Sequence, residues 1–419
     1  MYSMLFDNYN AKLKPYCGNN DPIQLRLDMA LRQIIDLDEP AQIIKLNIWL
    51  RMKWYDCRLQ WNPSDYGNIT FFVIHSKFIW IPDLTMYHSV GDEFVGISSF
   101  LATVYSDGTV YYNFPSIVEN LCSLNVEKFP YDSQSCKLVF GSWAYSGNDV
   151  SIVYKNPYGD LSMAEDNVEW TVESITARRH VLYYPCCPEP YPDVTYYINM
   201  KRKPNFYIMN LIVPSFAITA MALLGFMLPV ESGEKVSLEI TVMLSLAVFQ
   251  LLVADKLPPS AEVTPLIATY FNFALFLVGL SCMKAVLVVN IYHQGERRMP
   301  RWVYKVFILN LSKITFTTLR TIHQKDEKMD TDSKSLVKNQ VAPDKKGSTV
   351  MTLSDVDFDC QGSETNLTER IKDKADRDLN VSYTEEWKVL SNVINMLSFY
   401  LTACVLIIGT SVIFSSFHS

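Results

Sequence analysis

The second half of the sequence contains four long stretches that are almost free of charged side chains. About 20 helical residues cross the hydrocarbon core of a bilayer, so each stretch is long enough to be a membrane-spanning helix. The second stretch carries Glu239 and several hydroxyl and amide groups, which are costly against lipid. We therefore expect this helix to turn its polar groups toward protein or water. The four predicted spans are residues 206–230, 236–254, 265–292 and 389–417.

The first half shows a different pattern, in which apolar and polar residues alternate. Residues 47–54 place Ile48, Leu50 and Met52 on one side of an extended chain, as a half-buried strand requires. Turn sequences recur at residues 62–65, 106–108 and 146–149. Short strands between such turns predict a β-sandwich over residues 1 to about 203, with a short helix at residues 4–13.

The region between the third and fourth spans has three parts. Residues 299–322 are predicted to form an amphipathic helix at the inner membrane surface. Residues 324–365 are rich in Lys, Asp, Ser and Gln and poor in large apolar groups, so disorder is predicted. Residues 369–386 are charged and permit a helix, which would extend the fourth span into the cytoplasm.

Composition narrows the class of protein. The chain has 419 residues, enough for two or three domains, and 37 Lys and Arg against 44 Asp and Glu give a net charge of −7. This charge argues against nucleic acid as a partner. The four spans exclude a soluble enzyme and a disordered scaffold. No catalytic constellation or cofactor motif is visible, so neither an enzymatic activity nor a bound cofactor or metal is expected.

The distribution of cysteines and basic residues predicts the orientation in the membrane. Six of the nine cysteines precede the first span, as expected for an oxidising compartment, and the sequon at Asn68 predicts glycosylation there. Basic residues that follow the third span are typical of cytoplasmic anchors. These anchors are Arg297, Arg298, Arg301 and Lys305. The first half and both chain ends are therefore predicted to be extracellular, in a multi-pass protein of the plasma membrane.

Several motifs carry a family resemblance. Cys122 and Cys136 enclose 13 residues that contain Phe129-Pro130-Tyr131-Asp132. The other motifs are Trp80-Ile81-Pro82-Asp83, Gly141-Ser142-Trp143, Tyr184-Pro185-Cys186-Cys187 and Gly233-Glu234-Lys235. With the four spans, they resemble the Cys-loop, or pentameric ligand-gated, ion channels, and among these the nicotinic acetylcholine receptor subunits. Another secreted domain in which the two cysteines merely close a loop is the alternative.

The resemblance implies a domain organisation that covers nearly the whole chain. Residues 1–203 would be an extracellular, immunoglobulin-like β-sandwich that binds ligand, and residues 204–292 would hold spans 1 to 3. Residues 293–388 would form a cytoplasmic loop, and residues 389–419 the fourth span and an extracellular C-terminus. The spans would form a four-helix bundle within a pentamer. The resemblance also implies the disulfides Cys122–Cys136 and Cys186–Cys187.

The second span carries a stripe that suits a pore. Its positions are three or four residues apart and so fall within an arc of about 100° on a helix. The stripe consists of Glu234, Ser237, Thr241, Leu244, Val248, Leu251 and Asp255. Around a fivefold axis, rings of Glu234 and Asp255 would concentrate cations, and rings of Leu244 and Val248 would gate the pore. Packing in an ordinary buried helix is the alternative.

The family binds amines in an aromatic box between subunits, through cation–π attraction. By motif, the principal wall here would be Tyr87, Trp143, Tyr184 and Tyr191, capped by the pair Cys186 and Cys187. The complementary wall would be Trp49, Tyr111 and Asn113 from the neighbouring subunit. Because both walls occur in one chain, a homopentamer is expected, with a heteropentamer as the alternative. The implied partners are a small ligand such as a cationic amine, permeant cations and membrane lipids.

Three departures from the family pattern bear on ligand and coupling. Nicotinic subunits usually have a Lys where this chain has Val139, and that Lys pairs with an acid such as Asp193. Four prolines in the capping loop would restrict its closure. The complementary wall is also altered, at Tyr111 and Asn113. Acetylcholine is therefore one ligand among several, and a channel opened by a non-amine ligand is an alternative.

The remaining expectations concern single residues. Glu39 and Arg202 match a family ion pair that couples the β-domain to the first span, with a weak surface pair as the alternative. Glu239 points about 140° away from Glu234, either neutralised between helices or acting as a contact sensitive to pH or lipid. Cys17 could pair with Cys57, or both could be free thiols. The leading function is a ligand-gated cation channel, and the runner-up is a non-conducting subunit that acts only in heteromers.

Overall fold

The structure is a computed structural model. It describes residues 1–18, 21–91, 100–259, 264–295, 299–311 and 361–417, without the side chains of residues 308–310 and 361–383. The chain divides into two compact units. The first consists of Met1–Pro214, Phe249–Thr269 and Ser416–Ser419, and the second of Ser215–Val248 and Tyr270–Ser415.

Ten strands in the first unit form two sheets. The strand order is β3-β5-β6-β2-β1-β8 in the six-stranded sheet and β4-β7-β10-β9 in the four-stranded sheet. The β1–β8 pair is parallel and the other pairs are antiparallel. The strands are β1 Ile23–Asp38, β2 Ile43–Gln60, β3 Phe71–His75, β4 Leu84–Met86, β5 Leu101–Tyr105, β6 Asp107–Leu121, β7 Ser133–Ser142, β8 Val150–Tyr154, β9 Trp170–Tyr184 and β10 Cys187–Arg202. The predicted β-sandwich is confirmed.

Alternation along the strands decides which side chains enter the core. In β2, Leu50 and Met52 are fully buried, whereas Trp49 and Tyr55 are exposed on the other face. Strand β6 alternates in the same way, with Tyr112 buried next to the exposed Asn113. Because successive side chains of a strand point to opposite faces, the outer face of the six-stranded sheet collects the polar and aromatic side chains of both strands.

The N-terminal segment is anchored to the six-stranded sheet. A disulfide joins Cys17 to Cys57 of β2, 40 residues further on. The helix α1 covers Tyr2–Phe6, so the prediction of a helix over residues 4–13 is wrong in extent. The Asn10 side chain accepts a hydrogen bond from the Lys12 amide at 2.9 Å, and this local turn replaces helical bonding.

Among the described residues, four helices have the length and hydropathy of membrane spans. Span 1 is Asn205–Gly225, span 2 Lys235–Ala254, span 3 Leu266–Tyr292 and span 4 Thr384–Ser416. Span 1 contains a π-helical turn at Ile208–Ile212 and ends five residues earlier than predicted. The sequence there combines Gly225, a poor helix former, with Pro229, which disfavours helix at the preceding residue. A short 3₁₀ helix, Val230–Ser232, follows before span 2.

The helices of the second unit are joined by polar contacts. Lys235 Nζ donates to Asn395 Oδ1 at 2.6 Å and to the carbonyl oxygens of Phe226 and Leu228 at 3.4 Å and 3.3 Å. The hydroxyl of Ser391 donates to the Val288 carbonyl at 3.1 Å. These bonds satisfy groups that would be costly without partners in an apolar environment.

The region between spans 3 and 4 is described in part. A short helix, Arg301–Val303, leads into a π-helical turn at Tyr304–Asn310, and residues 312–360 lie outside the described residues. The predicted anchors Arg297 and Arg298 also lie outside. One continuous helix, Gln361–Ser416, contains span 4. The prediction of disorder is therefore wrong for residues 361–365, because this segment contains no proline and continues into the apolar span.

The disulfide between Cys17 and Cys57 should contribute to the stability of the first unit. Closing a loop of this length removes up to about 4 kcal/mol of chain entropy from the unfolded state. We expect Cys17→Ser to lower the unfolding temperature of the full chain in detergent, measured by tryptophan fluorescence. Cys404→Ser, which removes an exposed free thiol, is the matched control. Equal unfolding temperatures for the two variants would contradict this role.

Candidate functional site

Asp83 holds the turn that presents Trp143. Its Oδ2 accepts the backbone N–H groups of Trp143 and Ala144 at 3.1 Å and 2.7 Å, and its Oδ1 accepts the Ser142 hydroxyl at 2.5 Å. A carboxylate that receives three hydrogen bonds fixes a turn firmly. The Trp143 indole beyond this turn is 77% exposed. It is therefore available to a ligand rather than to the core.

Tyr87 lies beside Trp143, with ring centroids 6.4 Å apart in an edge-to-face arrangement. Its hydroxyl donates to the Ser142 carbonyl at 3.1 Å. Burial raises the pKa of Tyr87 to about 12, with further contributions from Tyr184 and Asp193. A Cβ atom at Gly141 would lie 2.0 Å from the Tyr87 oxygen, so only glycine leaves room for this ring.

The predicted capping loop is the tip of the β9–β10 hairpin. Cys186 and Cys187 form a disulfide at this tip, and the rings of Tyr184 and Tyr191 are 5.5 Å apart. The Gly147 amide donates to the Pro190 carbonyl at 2.6 Å, which ties the tip to the loop that follows Trp143. The structure thus brings the principal-wall residues to one end of the four-stranded sheet.

The complementary-wall residues lie on the other sheet. Trp49, Tyr111 and Asn113 share the outer face of β2 and β6. Within one chain they do not complete the box with Trp143, so a box would need two chains. Cations already lie over two of these rings. Arg32 Cζ is 4.7 Å from the Trp49 centroid, and Lys53 Nζ is 4.9 Å from the Tyr111 centroid.

Arg202, at the end of β10, is fully buried among acidic side chains. It donates to Glu39 Oε1 and Asp132 Oδ1 at 2.8 Å each, and it also pairs with Glu169. Burial raises the pKa of Glu39, although Arg202 opposes this effect. The alternative of a weak surface pair does not fit these contacts.

Aromatic rings complete the surroundings of Arg202. The guanidinium carbon lies 4.2 Å from the Trp170 ring centroid and 4.9 Å from that of Phe129. Phe129 also packs edge-to-face against Tyr207 of span 1, with centroids 4.8 Å apart. One buried cation therefore contacts β9, the loop between β6 and β7, and the first span.

The loop closed by Cys122–Cys136 makes further contacts in the first unit. The Leu266 amide, at the start of span 3, donates to the Glu127 carbonyl at 2.9 Å. The Tyr131 ring lies 5.6 Å from that of Phe417, which follows span 4. The disulfide joins the two ends of this loop. The loop thus touches three chain segments that belong to, or border, predicted spans.

Span 2 exposes all seven positions of the predicted pore stripe. The apolar members Leu244, Val248 and Leu251 are 64%, 51% and 62% exposed. The opposite side of the helix is buried, with Lys235, Glu239, Val242, Leu246 and Val253 facing protein. Three large apolar side chains exposed on one face of a membrane-spanning helix indicate a surface that meets lipid, further copies of the chain or a pore.

Glu239 is buried on that opposite side. A Cβ atom at Gly225 would lie only 2.5 Å from Glu239 Oε1, so the carboxyl group packs closely against the end of span 1. Its Oε2 has no hydrogen-bond partner among the described residues. The predicted orientation away from the stripe agrees with the structure, and both interpretations of its role stay open.

Sequence reasoning missed several residues that contact the sites, and four of them show why. Asp132 and Glu169 form ion pairs with Arg202 but are far from it in the sequence. Asp132 does belong to the motif Phe129-Pro130-Tyr131-Asp132 of the Cys122–Cys136 loop. Lys53 alternates with the aromatic residues of β2, and that pattern could have revealed it. His180 contacts Asp193 at 3.0 Å, a contact that depends on the hairpin register.

Two sheets with exposed aromatic side chains at one end, followed by four candidate membrane spans, are typical of a membrane receptor of the ligand-gated channel class. Residues 1–204 match the neurotransmitter-gated ion-channel ligand binding domain, and residues 211–414 match the neurotransmitter-gated ion-channel transmembrane region. The chain therefore belongs to the neurotransmitter-gated ion-channel family. Members of this family are ligand-gated channels rather than enzymes, and they assemble as pentamers.

Its relatives include acetylcholine receptor subunits. The chain is 39% identical over 318 residues to neuronal acetylcholine receptor subunit alpha-9 of Gallus gallus, covering 75% of this chain and 66% of that protein. It is 37% identical over 315 residues to subunit alpha-10 of Homo sapiens, covering 75% and 70%. It is also 37% identical over 325 residues to acetylcholine receptor subunit alpha-L1 of Schistocerca gregaria, covering 75% and 58%. The chain thus spans less than two thirds of the length of the first and third of these relatives.

Removing the buried charge of Arg202 should strongly destabilise the folded protein. We expect Arg202→Gln to destabilise the full chain by about 3–5 kcal/mol, because buried carboxylates are left without their counter-charge. Glu39→Gln should cost much less, since burial already raises the pKa of Glu39 and so disfavours its charged form. Thermal unfolding of the solubilised protein and surface biotinylation in cells measure both effects.

Lys203→Gln is the matched control for Arg202→Gln. Lys203 is the next residue and is exposed, and its side chain donates to the Asn167 carbonyl at 2.7 Å rather than to the acids around Arg202. If Arg202→Gln and Lys203→Gln lower the unfolding temperature equally, the buried cluster does not stabilise this part of the chain.

Proposed function

We propose that the chain forms a cation-selective channel that opens when a small cationic amine binds between neighbouring subunits. The observation that carries this proposal is the uninterrupted exposed stripe of span 2, which has carboxylates at both ends and apolar side chains in the middle. Five such stripes around an axis would form a pore with negatively charged mouths and an apolar gate at Leu244 and Val248.

The position of Lys235 supports selectivity for cations. This residue follows Glu234 directly, but its side chain is buried and its ammonium group bonds to Asn395. The charge on the exposed stripe at this end is therefore that of Glu234. A ring of five carboxylates raises the local concentration of cations and lowers that of anions.

The aromatic side chains support an amine as the ligand. Exposed Trp143, the pair of Tyr184 and Tyr191, and Tyr87 present ring faces and edges at one end of the four-stranded sheet. A cation over such rings gains up to about 2 kcal/mol per ring once water is removed. Several relatives are named as acetylcholine receptor subunits, which makes acetylcholine the first ligand to test.

The proposal extends to assembly, orientation and domain boundaries. Both walls of the box occur on one chain, which supports a homopentamer. We place residues 1–203 outside the plasma membrane with both termini, residues 293–388 inside, and a glycan at Asn68. Asn68 is exposed and lies in the left-handed backbone region just before β3, and a surface position suits a bulky glycan.

One observation favours the second candidate, a subunit that acts only in heteromers or responds to a non-amine ligand. Arg32 and Lys53 lie over the rings of Trp49 and Tyr111, so these two faces already carry a cation. A partner subunit could then supply the complementary wall for an amine. Expression of the chain alone separates this candidate from the homopentamer.

The first experiment expresses the chain alone in oocytes and records current under acetylcholine. An inward current whose reversal potential becomes more negative when external sodium is replaced by a large impermeant cation is the expected result. A reversal potential that follows chloride instead would contradict cation selectivity. Silence from pentamers that reach the cell surface would favour the heteromer.

Neutralising the mouth of the pore should weaken selectivity. We expect Glu234→Gln to reduce cation conductance several-fold at low ionic strength and to shift the reversal potential toward that of chloride, because the ring loses five charges. Glu231→Gln is the matched control, since Glu231 lies off the stripe and accepts a bond from Tyr292 at 2.6 Å. Unchanged ion discrimination in Glu234→Gln would remove Glu234 from the pore.

Truncating the central aromatic residue should weaken the response to acetylcholine. We expect Trp143→Ala to raise the half-maximal concentration by about 30-fold, which corresponds to the loss of about 2 kcal/mol of cation–π attraction. Trp143→Phe should have a smaller effect because a ring face remains. Trp302→Ala, which removes an exposed tryptophan beyond span 3, serves as control. A normal dose response in Trp143→Ala would place the ligand elsewhere.

A further inference from the structure

Asp193 is a buried carboxylate at the base of the β9–β10 hairpin tip. Its side chain is only 3% exposed, and it follows Pro192 at the start of the buried part of β10. Its Oδ1 accepts the Thr195 hydroxyl at 2.9 Å. Burying a carboxylate is costly unless it is hydrogen-bonded and its charge is compensated. The side chain that supplies its counter-charge therefore affects the electrostatic potential at the neighbouring side chains.

His180 is the basic side chain that contacts this carboxylate. It lies directly opposite Asp193 in the β9–β10 register, and its Nδ1 is 3.0 Å from Asp193 Oδ1. Because an ionised carboxylate only accepts hydrogen bonds, Nδ1 carries the hydrogen in this contact. Nδ1–H is present in one neutral tautomer and in the imidazolium ion. Protonation at Nε2 therefore adds a charge without breaking this bond.

On the other side of β10, strand β7 places no charged side chain opposite Asp193 or Thr195. The β7 residues opposite Asp193 and Thr195 are Gly141 and Val139, which carry no charge. Among the residues that the structure describes, no Lys or Arg nitrogen lies within 4.0 Å of the Asp193 carboxylate. The side chain of His180 is 38% exposed, so a proton from solvent can reach it.

Other charged groups lie around the pair. Arg178, opposite Thr195 in the same register, has its guanidinium carbon 5.9 Å from the Tyr197 ring centroid. Arg179, the neighbour of His180 on β9, bonds instead to the Ile152 carbonyl and the Ser151 hydroxyl of β8. Asp83 is engaged with the turn at Trp143. The other groups are the phenols of the box, Tyr87, Tyr184 and Tyr191. Imidazoles change charge between about pH 5 and 8, a range in which phenols stay neutral.

The charge of Asp193 acts on the aromatic box. Burial is the largest cause that raises the pKa of Tyr87 to about 12, and the negative charge of Asp193 contributes to the same shift. A field that disfavours a phenolate at Tyr87 favours a cation at the same place. The state of the Asp193 charge therefore affects how strongly the box attracts a cationic ligand.

We propose that His180 is the proton-controlled counter-charge of Asp193 and thereby sets the strength of the box for cationic ligands. This inference rests on the proposed function of the box. Neutral His180 leaves the Asp193 charge uncompensated, so a cation is attracted. Protonated His180 cancels that charge, and attraction weakens. By linkage, a bound cation and the proton on His180 oppose each other. A lysine at this position would compensate the Asp193 charge at every pH of the test, whereas a histidine makes the compensation depend on pH.

The test compares acetylcholine dose responses of the full chain in oocytes at about pH 8 and about pH 5.5. Acetylcholine keeps its charge throughout this range, so only the protein titrates. His180→Asn places an amide N–H close to the position of Nδ1 and holds the bond without a charge. His180→Lys provides a permanent charge. His75→Asn is the matched control, because His75 lies on β3, in the other sheet.

The wild-type half-maximal concentration should rise about fivefold on acidification, the effect of a partly screened charge pair. His180→Asn should keep the low value of pH 8 at both pH values, and His180→Lys the high value. His75→Asn should behave as wild type. Surface biotinylation shows which variants fold, and if His180→Lys does not reach the surface, the comparison of the two asparagine variants decides.

Each contrary result has a distinct meaning. If wild type and His180→Asn show the same change with pH, or if sensitivity increases on acidification through His180, the inference is overturned and the proposed function stands. If wild-type protein at the surface gives no response to acetylcholine at either pH, the homomeric, acetylcholine-gated form of the proposed function is overturned, and the inference falls with it.

Discussion

The cost of burying one guanidinium group determines how the membrane-proximal end of the first unit is built. Arg202 has no exposed side-chain surface, so its charge must be met by protein rather than water. Glu39, Asp132 and Glu169 come from three different segments to supply that charge. The rings of Trp170 and Phe129 exclude water around it. A movement of any one of these segments therefore disturbs the electrostatic balance of the others.

The same principle acts on a smaller scale at the ligand-facing end. Asp83 accepts hydrogen bonds from two backbone amides and one hydroxyl, and these bonds fix the turn at Trp143. Asp193 is satisfied by Thr195 and His180, which leaves its charge adjustable. Two carboxylates in one region thus have different roles because their hydrogen-bond partners differ. On the complementary face, Arg32 and Lys53 occupy the ring faces of Trp49 and Tyr111.

Local patterns in the sequence were sufficient for the elements but not for the contacts between them. Alternation in β2 and the length of the apolar stretches depend on neighbouring residues, and they predicted strands and spans well. The His180–Asp193 contact depends on a register shift between Cys187 and Pro190. Counted from the pair at the hairpin tip without that shift, Arg178 would lie opposite Asp193. The acids on Arg202 are up to 163 residues away in the chain, and no local pattern links them. The helix predicted at residues 4–13 failed because one Asn10 side chain competes with helical bonding.

The helix that contains span 4 has 56 residues and rises about 1.5 Å per residue, so it is about 84 Å long. The hydrocarbon core of a bilayer is about 30 Å thick. The part of this helix before span 4, residues 361–383, therefore extends beyond the span by about 35 Å as a single stiff rod. Five such rods would behave as a frame below the channel. A partner bound at the first residue of this helix would thus be held about 35 Å from the start of span 4 rather than next to it.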